Sequence, residues 1–167
     1  MIDAEGYRAN VGAIIVNAQG QIFWARRVGQ DAWQFPQGGV QADETPEETL
    51  YRELYEETGL SPAHVTLVAT TKEWIPYQIP RKFQRLSAKP LCIGQKQKWF
   101  LLYYFGPPEH ISFQCGEKPE FDDWRWVSYW YPIGKVVSFK ANVYRSALVE
   151  FAPYVLGGGL PRLKTQF

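Results

Sequence analysis

Three glutamates in the first half of the chain, Glu53, Glu56 and Glu57, have a spacing that could hold a metal ion. In a helix, residues at i, i+3 and i+4 lie on one side, so these carboxylates would be close together. Carboxylates that close repel one another, and without a cation some of them would stay protonated. Oxygen-only clusters suit hard divalent ions such as Mg²⁺ or Mn²⁺. The three residues by themselves also fit an ordinary, solvent-exposed acidic face of a helix.

The helix that carries these acids is bounded by residues typical of helix ends. Thr45 can cap the start, Pro46 fits the first helical position, and Glu48 completes a capping box with Thr45. Gly59 supplies the left-handed residue that ends the helix. Side chains that can pack on a sheet cover the neighbouring side of the helix: Leu50, Tyr51, Leu54 and Tyr55.

The stretch from residue 38 to residue 60 matches a known family pattern at every fixed position, and it therefore resembles the Nudix hydrolase box. The matching residues are Gly38, Glu44, Arg52, Glu53, Leu54, Glu56, Glu57, Gly59 and Leu60. The resemblance implies attack of water on phosphorus within a pyrophosphate linkage of a nucleotide. It also implies a divalent cation, Mg²⁺ first, with Mn²⁺ or another divalent ion as alternatives. This pattern favours the metal site over the exposed acidic face.

Carried over by position, the resemblance implies that Glu53, Glu56 and Glu57 bind the metal and that the three include a candidate general base. Arg52 lies four residues before Glu56, within reach to pair with it and orient the acids. The carbonyl of Gly38 is a further candidate ligand, because Gly38 and the glycine after it permit close approach of the backbone to a ligand.

Two other acids have more than one interpretation. Glu44 belongs to the box, but it lies at the helix start, where a structural role is as reasonable as a catalytic one. Glu120 lies outside the box and just before a predicted strand. We consider Glu120 a candidate further metal ligand or base, with an ordinary loop acid as the alternative.

The charge of the chain is balanced overall but unevenly distributed. The net charge is +1, yet residues 43–57 contain seven acids and one base, whereas residues 72–98 contain seven bases and one acid. An acidic metal site beside this basic arm (residues 72–98) suits a polyanionic substrate. The alternative is a soluble loop with mixed aromatic packing. Because 16% of the residues are aromatic, we also expect some rings to line a groove.

The remaining features of composition suggest an ordinary globular domain. Cys92 and Cys115 have no metal-ligand spacing, so reduced structural thiols are expected. No apolar run approaches membrane length and no signal peptide is recognisable, so we expect a cytoplasmic protein that does not contact membranes.

The order of predicted elements is strands, one capped helix, more strands and a terminal helix, which favours an α/β fold. It resembles the Nudix α/β/α sandwich, a mixed sheet flanked by helices. We expect one domain over residues 1–155 and a flexible tail over residues 156–167. The predicted strands span residues 10–16, 21–27, 65–75, 98–105 and 124–130, residues 33–39 are extended, and the terminal helix spans 138–154.

The flanks of the box resemble a narrower group, the bacterial RNA pyrophosphohydrolase family, from about residue 2 to residue 151. The segments that carry this likeness are 2–3, 6–8, 10–12, 24–27, 33–39, 89–90, 92–102, 119–122, 124–132 and 136–140. The resemblance implies a substrate RNA with an unpaired 5′ end that carries a triphosphate or diphosphate. The product would be a 5′-monophosphate end that invites decay by endonucleases.

Residues outside the box could bind such a substrate. Arg26 and Arg27 are neighbours on a strand, so only one of them can face the substrate groove. Phosphates need cations, and unpaired bases need rings on which to stack. The candidate contacts are Arg8, Arg27 and Lys140 for phosphates, Tyr77 and Phe139 for stacking, Val137 in the same pocket, and Gln95 for a phosphate or base.

Two other functions stay open at this point. Relatives of the group cleave dinucleoside polyphosphates such as diadenosine tetraphosphate, which also carry a chain of phosphates. A catalytically inactive Nudix fold could instead sense RNA or nucleotide, although the crowded acids argue against a pure binding protein. The resemblance further leaves open a regulatory protein partner, diaminopimelate epimerase.

Overall fold

The computed structural model describes residues 2–160, which form one mixed sheet of eight strands with a helix on each face. The strands are β1 (Tyr7–Val16), β2 (Ile22–Arg27), β3 (Trp33–Gln34), β4 (Gln37–Gly39), β5 (Val65–Thr70), β6 (Ile75–Gln78), β7 (Gly94–Tyr104) and β8 (Phe121–Val127). The helices are α1 (Pro46–Thr58) and α2 (Ala141–Leu156).

The centre of the sheet is a parallel pair, β1 and β7, which align over ten residues from Tyr7 and Gly94 to Val16 and Tyr103. On one side, β2 and the short β4 pair antiparallel with β1, and β3 and β8 pair with β2. On the other side, β5 and β6 both pair antiparallel with β7. The parallel pair explains why the long connection between β1 and β7 must carry a helix.

Alternating side chains of β1 divide the apolar core in two. Ile14 and Val16 belong to the cluster that includes α2, whereas Val11, Ala13 and Ile15 belong to the cluster that includes α1. The period of two in a strand produces this division. The predicted α/β/α sandwich is therefore confirmed, with each helix covering one face of the central sheet.

Helix α1 begins and ends where the sequence predicts. The side chain of Thr45 accepts a hydrogen bond from the Glu48 amide at 3.1 Å, and the Glu48 carboxylate accepts one from the Thr45 amide at 2.9 Å. Gly59 adopts the left-handed conformation with φ of 76°. Leu50 and Leu54 are buried, but the packing prediction is wrong for Tyr55, which is 48% exposed because it lies beyond the stripe that faces the sheet.

The bounds of several predicted elements differ from the structure, and β1 and β7 begin three and four residues earlier than expected. The strand expected over residues 65–75 is two strands, β5 and β6, separated by a turn; Pro76 is tolerated in β6 because that strand lies at an edge. Strand β8 begins and ends three residues earlier than expected. Residues 138–140 form a short 3₁₀ turn, and α2 starts only at Ala141.

Helix α2 ends at Leu156, where the predicted tail begins, and residues 161–167 of that tail lie outside the described residues. Within residues 2–160, no helix has the length and apolar character needed to cross a membrane.

Candidate active site

The predicted acids meet at a small cleft beside the middle of α1. This acidic cleft has a volume of about 280 Å³ and is lined by Glu53, Glu56, Glu57, Gly116, Glu117, Lys118 and Glu120. Glu120, predicted from outside the box, thus lies with the three helical glutamates. It reaches the cleft because β8 pairs with β2 and places residue 120 beside the carboxyl end of β2.

The three helical acids differ in exposure although they share one side of α1. Glu57 is 6% exposed, whereas the side chains of Glu53 and Glu56 are 18% and 44% exposed. Position 57 points towards the sheet, where the amide of Gln37 donates a hydrogen bond of 3.3 Å to a Glu57 carboxylate oxygen. The cleft therefore combines a buried carboxylate with accessible ones.

Arg52 holds the acidic cluster in place. Its guanidinium pairs with both carboxylate oxygens of Glu44, at 2.6 and 2.9 Å, and with Glu53 at 2.6 Å. It also donates to the carbonyl of Gly39 at 3.1 Å. Glu56, the predicted partner of Arg52, is only a secondary contact at 3.5 Å. The planar fork of arginine suits this two-point pairing with a carboxylate.

Glu44 supports Arg52 and does not line the cleft. Besides Arg52, its carboxylate accepts hydrogen bonds from the Gln41 amide and the Thr49 hydroxyl. The Arg52 guanidinium is the main reason that the pKa of Glu44 falls to about 2, so this carboxylate stays charged at any ordinary pH. Of the two interpretations of Glu44, the structural one describes these contacts.

Gly38 is required next to Glu53 for a steric reason. A Cβ atom at residue 38 would come within 2.1 Å of the Glu53 carboxyl carbon, whereas ordinary contacts begin near 3.4 Å. At Gly39, the same addition would meet nothing within 4 Å. The first glycine of the pair therefore makes the space that the Glu53 carboxylate occupies.

The charge of the cleft is poorly compensated. Burial, followed by repulsion from Glu53 and Glu120, raises the pKa of Glu57 well above its usual range. Burial also raises the pKa of Glu53, although Arg52 opposes the change. A group of carboxylates that resists ionisation in this way has the chemistry that a hard divalent cation satisfies.

The carboxylates have not converged on a single point. In residues 2–160, no group of three or more histidine, cysteine, aspartate or glutamate side chains is close enough to hold a metal ion. Glu53 instead pairs with Arg52, and Glu57 with the Gln37 amide. The donor types fit a cation, and the side chains would have to move for their oxygens to share one.

A larger cavity lies next to the acidic cleft. We call it the base cavity, after the nucleobase that Val137 and Phe139 are predicted to contact. It has a volume of about 570 Å³ and is lined by Arg27, Gln30, Asp31, Ala32, Trp33, Gln34, Phe83, Lys135, Val136, Val137, Phe139 and Lys140. Arg27 connects the two spaces, because its Nη2 lies 3.9 Å from a carboxylate oxygen of Glu120. Arg26, as strand alternation predicts, turns elsewhere and pairs with Asp122 at 2.8 Å.

Gln37 is a site residue that the sequence analysis missed. Its amide donates to Glu57, while its side-chain oxygen lies 3.5 Å from Nζ of Lys140 and 3.4 Å from Nε2 of Gln97. Gln97 in turn donates to the buried Asn10 at 2.8 Å. The position of Gln37, one residue before Gly38 of the box, was the available signal.

Lys140 has an unusual environment for a lysine. It is partly buried at the wall of the base cavity, and this burial, with a smaller contribution from Arg27, lowers its pKa to about 8. No carboxylate within residues 2–160 forms an ion pair with Lys140, and such a cation favours binding of an anion, because the anion stabilises the charged form.

The other predicted substrate contacts do not all lie in the base cavity. Phe139 and Val137 line the base cavity as expected. Tyr77 does not offer an open ring, because it is 8% exposed, donates to Gln95 at 2.7 Å and lies behind Phe139, with ring centroids 6.0 Å apart. The expectation that Tyr77 is a stacking platform is therefore corrected for this conformation. Arg8 is exposed at a different cavity.

Two aromatic residues of the base cavity were not predicted. Trp33 is the first residue of β3, after the turn that joins β2 to β3. Phe83, which is 61% exposed, projects from the basic arm. Trp33 was detectable as the first residue of the extended segment before the box. Phe83 had no local signal apart from its basic neighbours Arg81 and Lys82.

Comparison with known proteins agrees with this geometry. Residues 6–147 match the NUDIX domain model. A protein of Hahella chejuensis named RNA pyrophosphohydrolase is 60% identical over 92% of this chain and 95% of its own length. A protein of the same name from Alkalilimnicola ehrlichii is 54% identical over 97% of this chain and 90% of its length.

Solved structures agree on the fold. The E. coli dihydroneopterin triphosphate pyrophosphohydrolase superposes with a TM-score of 0.68 at 19% identity, over 90% of this chain and 98% of that one. A C. elegans Ap4A hydrolase superposes with a TM-score of 0.62 at 16% identity, over 87% and 98%. At these identities the likeness concerns the fold alone.

Proposed function

Because this chain belongs to the Nudix family, as predicted from its box, we propose that it hydrolyses the 5′-triphosphate or diphosphate end of RNA. The products would be a 5′-monophosphate RNA and pyrophosphate, or phosphate from a diphosphate end. Relatives that are about 60% identical over most of the chain and carry the name RNA pyrophosphohydrolase support this substrate.

The observation that carries the proposal is the position of Arg27 between the acidic cleft and the base cavity. A 5′ end of RNA has phosphates followed at once by a nucleoside, so its binding site needs an acid-lined metal centre, a cation and an aromatic pocket in that order. Glu120, Arg27 and Phe139 occupy these positions in turn. Lys140 supplies a second cation at the same wall.

Nudix hydrolases use divalent cations, and we propose Mg²⁺ for this one. Glu53, Glu56 and Glu57 would hold the ion, with Glu120 and the Gly38 carbonyl as further ligands. Bound there, the cation would draw charge from the phosphate oxygens and acidify water at the cleft.

The side chains of the cleft would share the remaining work. Arg52 keeps Glu53 in position through the 2.6 Å ion pair. Water attacks phosphorus, the P–O bond to the departing phosphate group breaks, and one carboxylate takes the proton from the water. Arg27 and Lys140 would hold the phosphates at the boundary with the base cavity.

Several consequences of the proposal stay predictions. The 5′-monophosphate end would open RNA to decay, and such a role places the protein in the cytoplasm. Stimulation by diaminopimelate epimerase stays a prediction as well.

The test is a paired hydrolysis assay with Mg²⁺. An RNA with a 5′-triphosphate and unpaired leading bases is compared with diadenosine tetraphosphate at equal concentration, with the Glu53→Gln variant as the inactive control. We expect strong preference for RNA and a 5′-monophosphate product. Preference for the dinucleotide would instead assign the chain to nucleotide hydrolysis, and binding of RNA without turnover would identify a sensor.

A further inference from the structure

We propose that a third space, separate from the acidic cleft and the base cavity, binds a nucleotide of the RNA further from the 5′ end. This inference rests on the proposed function and extends it to the length of unpaired RNA that the protein reads. The outer cavity, as we name this space, has a volume of about 400 Å³. It is lined by Ile2, Arg8, Ile79, Phe83, Gln84, Arg85, Ala88, Pro90 and Cys92.

The outer cavity continues the order of sites along the molecule. Arg27 joins the acidic cleft to the base cavity, and Phe83 is a wall of both the base cavity and the outer cavity. A chain that enters with its phosphates at the acidic cleft therefore passes the base cavity first and Phe83 second. Successive bases of a single strand need successive stacking surfaces, and Phe83 presents an exposed ring between two cavities.

The lining has the composition that a nucleotide requires. Ile79, Phe83 and Pro90 supply apolar surface for a base, while Arg8 and Arg85 supply two cations for the phosphate that follows it. Gln84 offers a side-chain amide, although its nitrogen already donates to the carbonyl of Ile79 at 2.9 Å. The volume lies within the range of about 300–1,000 Å³ typical of small-molecule pockets.

Backbone hydrogen bonds hold the walls of the outer cavity together. The amide of Ile93 donates to the carbonyl of Gly6, and the amide of Ile79 donates to the carbonyl of Ile93, each at 2.9 Å. The first bond joins the amino-terminal segment to the basic arm, and the second joins two positions within the arm, residues 79 and 93. Arg8 is held on β1, whose neighbour β7 carries Gln95 in register with it. The backbone of these walls is therefore held in place, while the side chains that line the cavity are partly or fully exposed and open to a ligand.

The inference gives the basic arm a specific role. A dinucleoside polyphosphate has only one nucleoside on each side of its phosphates, so it cannot reach past Phe83. An RNA with several unpaired leading nucleotides can reach this point. The outer cavity would thus favour RNA over dinucleotides and favour ends with a longer unpaired leader.

The test uses the full chain and a series of 5′-triphosphate RNAs with one, two, three or four unpaired nucleotides before a hairpin. Arg85→Glu and Ala88→Trp change the outer cavity without touching the base cavity, and both residues are exposed. Arg81→Glu is the matched control, because it makes the same charge change on the same arm but lines neither cavity.

In the wild type, we expect kcat/KM to rise at the leader length that fills the outer cavity. Arg85→Glu and Ala88→Trp should abolish that rise, a loss of about 5- to 150-fold, which is the effect of removing one base stack. Both variants should match the wild type on the shortest leader, and Arg81→Glu should behave as the wild type throughout. Equal effects on all leaders, or no effect on any, would overturn the inference but leave the proposed function standing. A wild type that cleaves no RNA end would overturn both.

A second measurement reports binding without turnover. Cys92 lines the outer cavity, and Cys115 is exposed elsewhere, so the Cys115→Ser variant keeps a single thiol, which lies in the outer cavity. A four-nucleotide 5′-monophosphate RNA should slow alkylation of Cys92 by N-ethylmaleimide, whereas a dinucleotide should not. Equal alkylation rates with both RNAs would place the longer RNA elsewhere.

Discussion

The Gly38→Ala substitution is expected to remove most of the activity through a clash that can be measured from the structure. The added methyl group would lie 2.1 Å from the Glu53 carboxyl carbon and 2.5 Å from its Oε1. To reach an ordinary contact, the carboxylate must retreat by roughly 1 Å, and a misplacement of that size costs about 100-fold in rate. We therefore expect kcat/KM on triphosphate RNA to fall by about 100-fold.

The stability of this variant should fall less than its activity. Retreat of Glu53 weakens its 2.6 Å ion pair with Arg52, and overpacking of this kind costs about 1–3 kcal/mol. For a domain of this size, each kcal/mol lowers Tm by about 2–4 °C. Thermal melting should therefore show a folded protein with a moderately lower Tm.

Gly39→Ala is the matched control, because a methyl group there meets nothing within 4 Å and leaves the Arg52 contact to the Gly39 carbonyl in place. It should keep near-normal kcat/KM. In the double variant Gly38→Ala, Glu53→Ala the obstructing carboxylate is gone, so Tm should equal that of Glu53→Ala alone. Equal activity of the two glycine variants would refute the steric role of Gly38. So would a double variant whose loss of Tm is the sum of the losses in Gly38→Ala and Glu53→Ala.

Four further predictions concern the charged groups of the site. Burial raises the pKa of Glu57 in the folded protein above its value in the unfolded chain. In EDTA, without metal, the free energy of unfolding and Tm should therefore fall as pH rises between these two pKa values. The Glu57→Gln variant should show a smaller fall in Tm over the same range. Mg²⁺ at 100 times its Kd should raise the free energy of unfolding of the wild type by about 2.7 kcal/mol, and that of Glu57→Gln by much less. Equal shifts of Tm in the two proteins would contradict the metal assignment. Burial lowers the pKa of Lys140 to about 8, so KM for RNA should rise between pH 7 and 9 as this cation loses its proton. The Lys140→Arg variant stays charged, and its KM should not change over this range. A parallel rise of KM in both proteins would exclude Lys140 as the cause. Arg52→Lys cannot pair with both oxygens of Glu44, so kcat should fall about 10- to 100-fold with little change in KM, and an unchanged kcat would show that the two-point pairing is dispensable.

Local chemistry in the sequence determined the helix and its acids. The capping box of Thr45 and Glu48, the left-handed Gly59 and the spacing of the glutamates depend on residues within one segment, so their arrangement follows from helix geometry alone. The alternating core of β1 is equally local. For the same reason the family could be identified from a stretch of 23 residues.

The partners of Arg52 show where local reasoning fails. Helix spacing favours Glu56, but the structure gives the closest contacts to Glu44 and Glu53, because the chain before α1 folds back beside residue 52. Tyr77 is not an open stacking ring because it lies in the core that includes α2, with Phe139, 62 positions later in the chain, packed beside it. Such contacts are set by packing between distant segments.

The sequence by itself predicted the fold class and the family, and it singled out the acids that meet in the cleft, because these depend on short-range periodicity and residue type. The tertiary structure alone decided how the site is joined together. It placed Glu120 in the acidic cleft, put Arg27 between that cleft and the base cavity, and made Phe83 a wall of two cavities. These placements depend on the pairing of β2 with β8 and of β1 with β7, and pairing between distant strands leaves no mark within either strand.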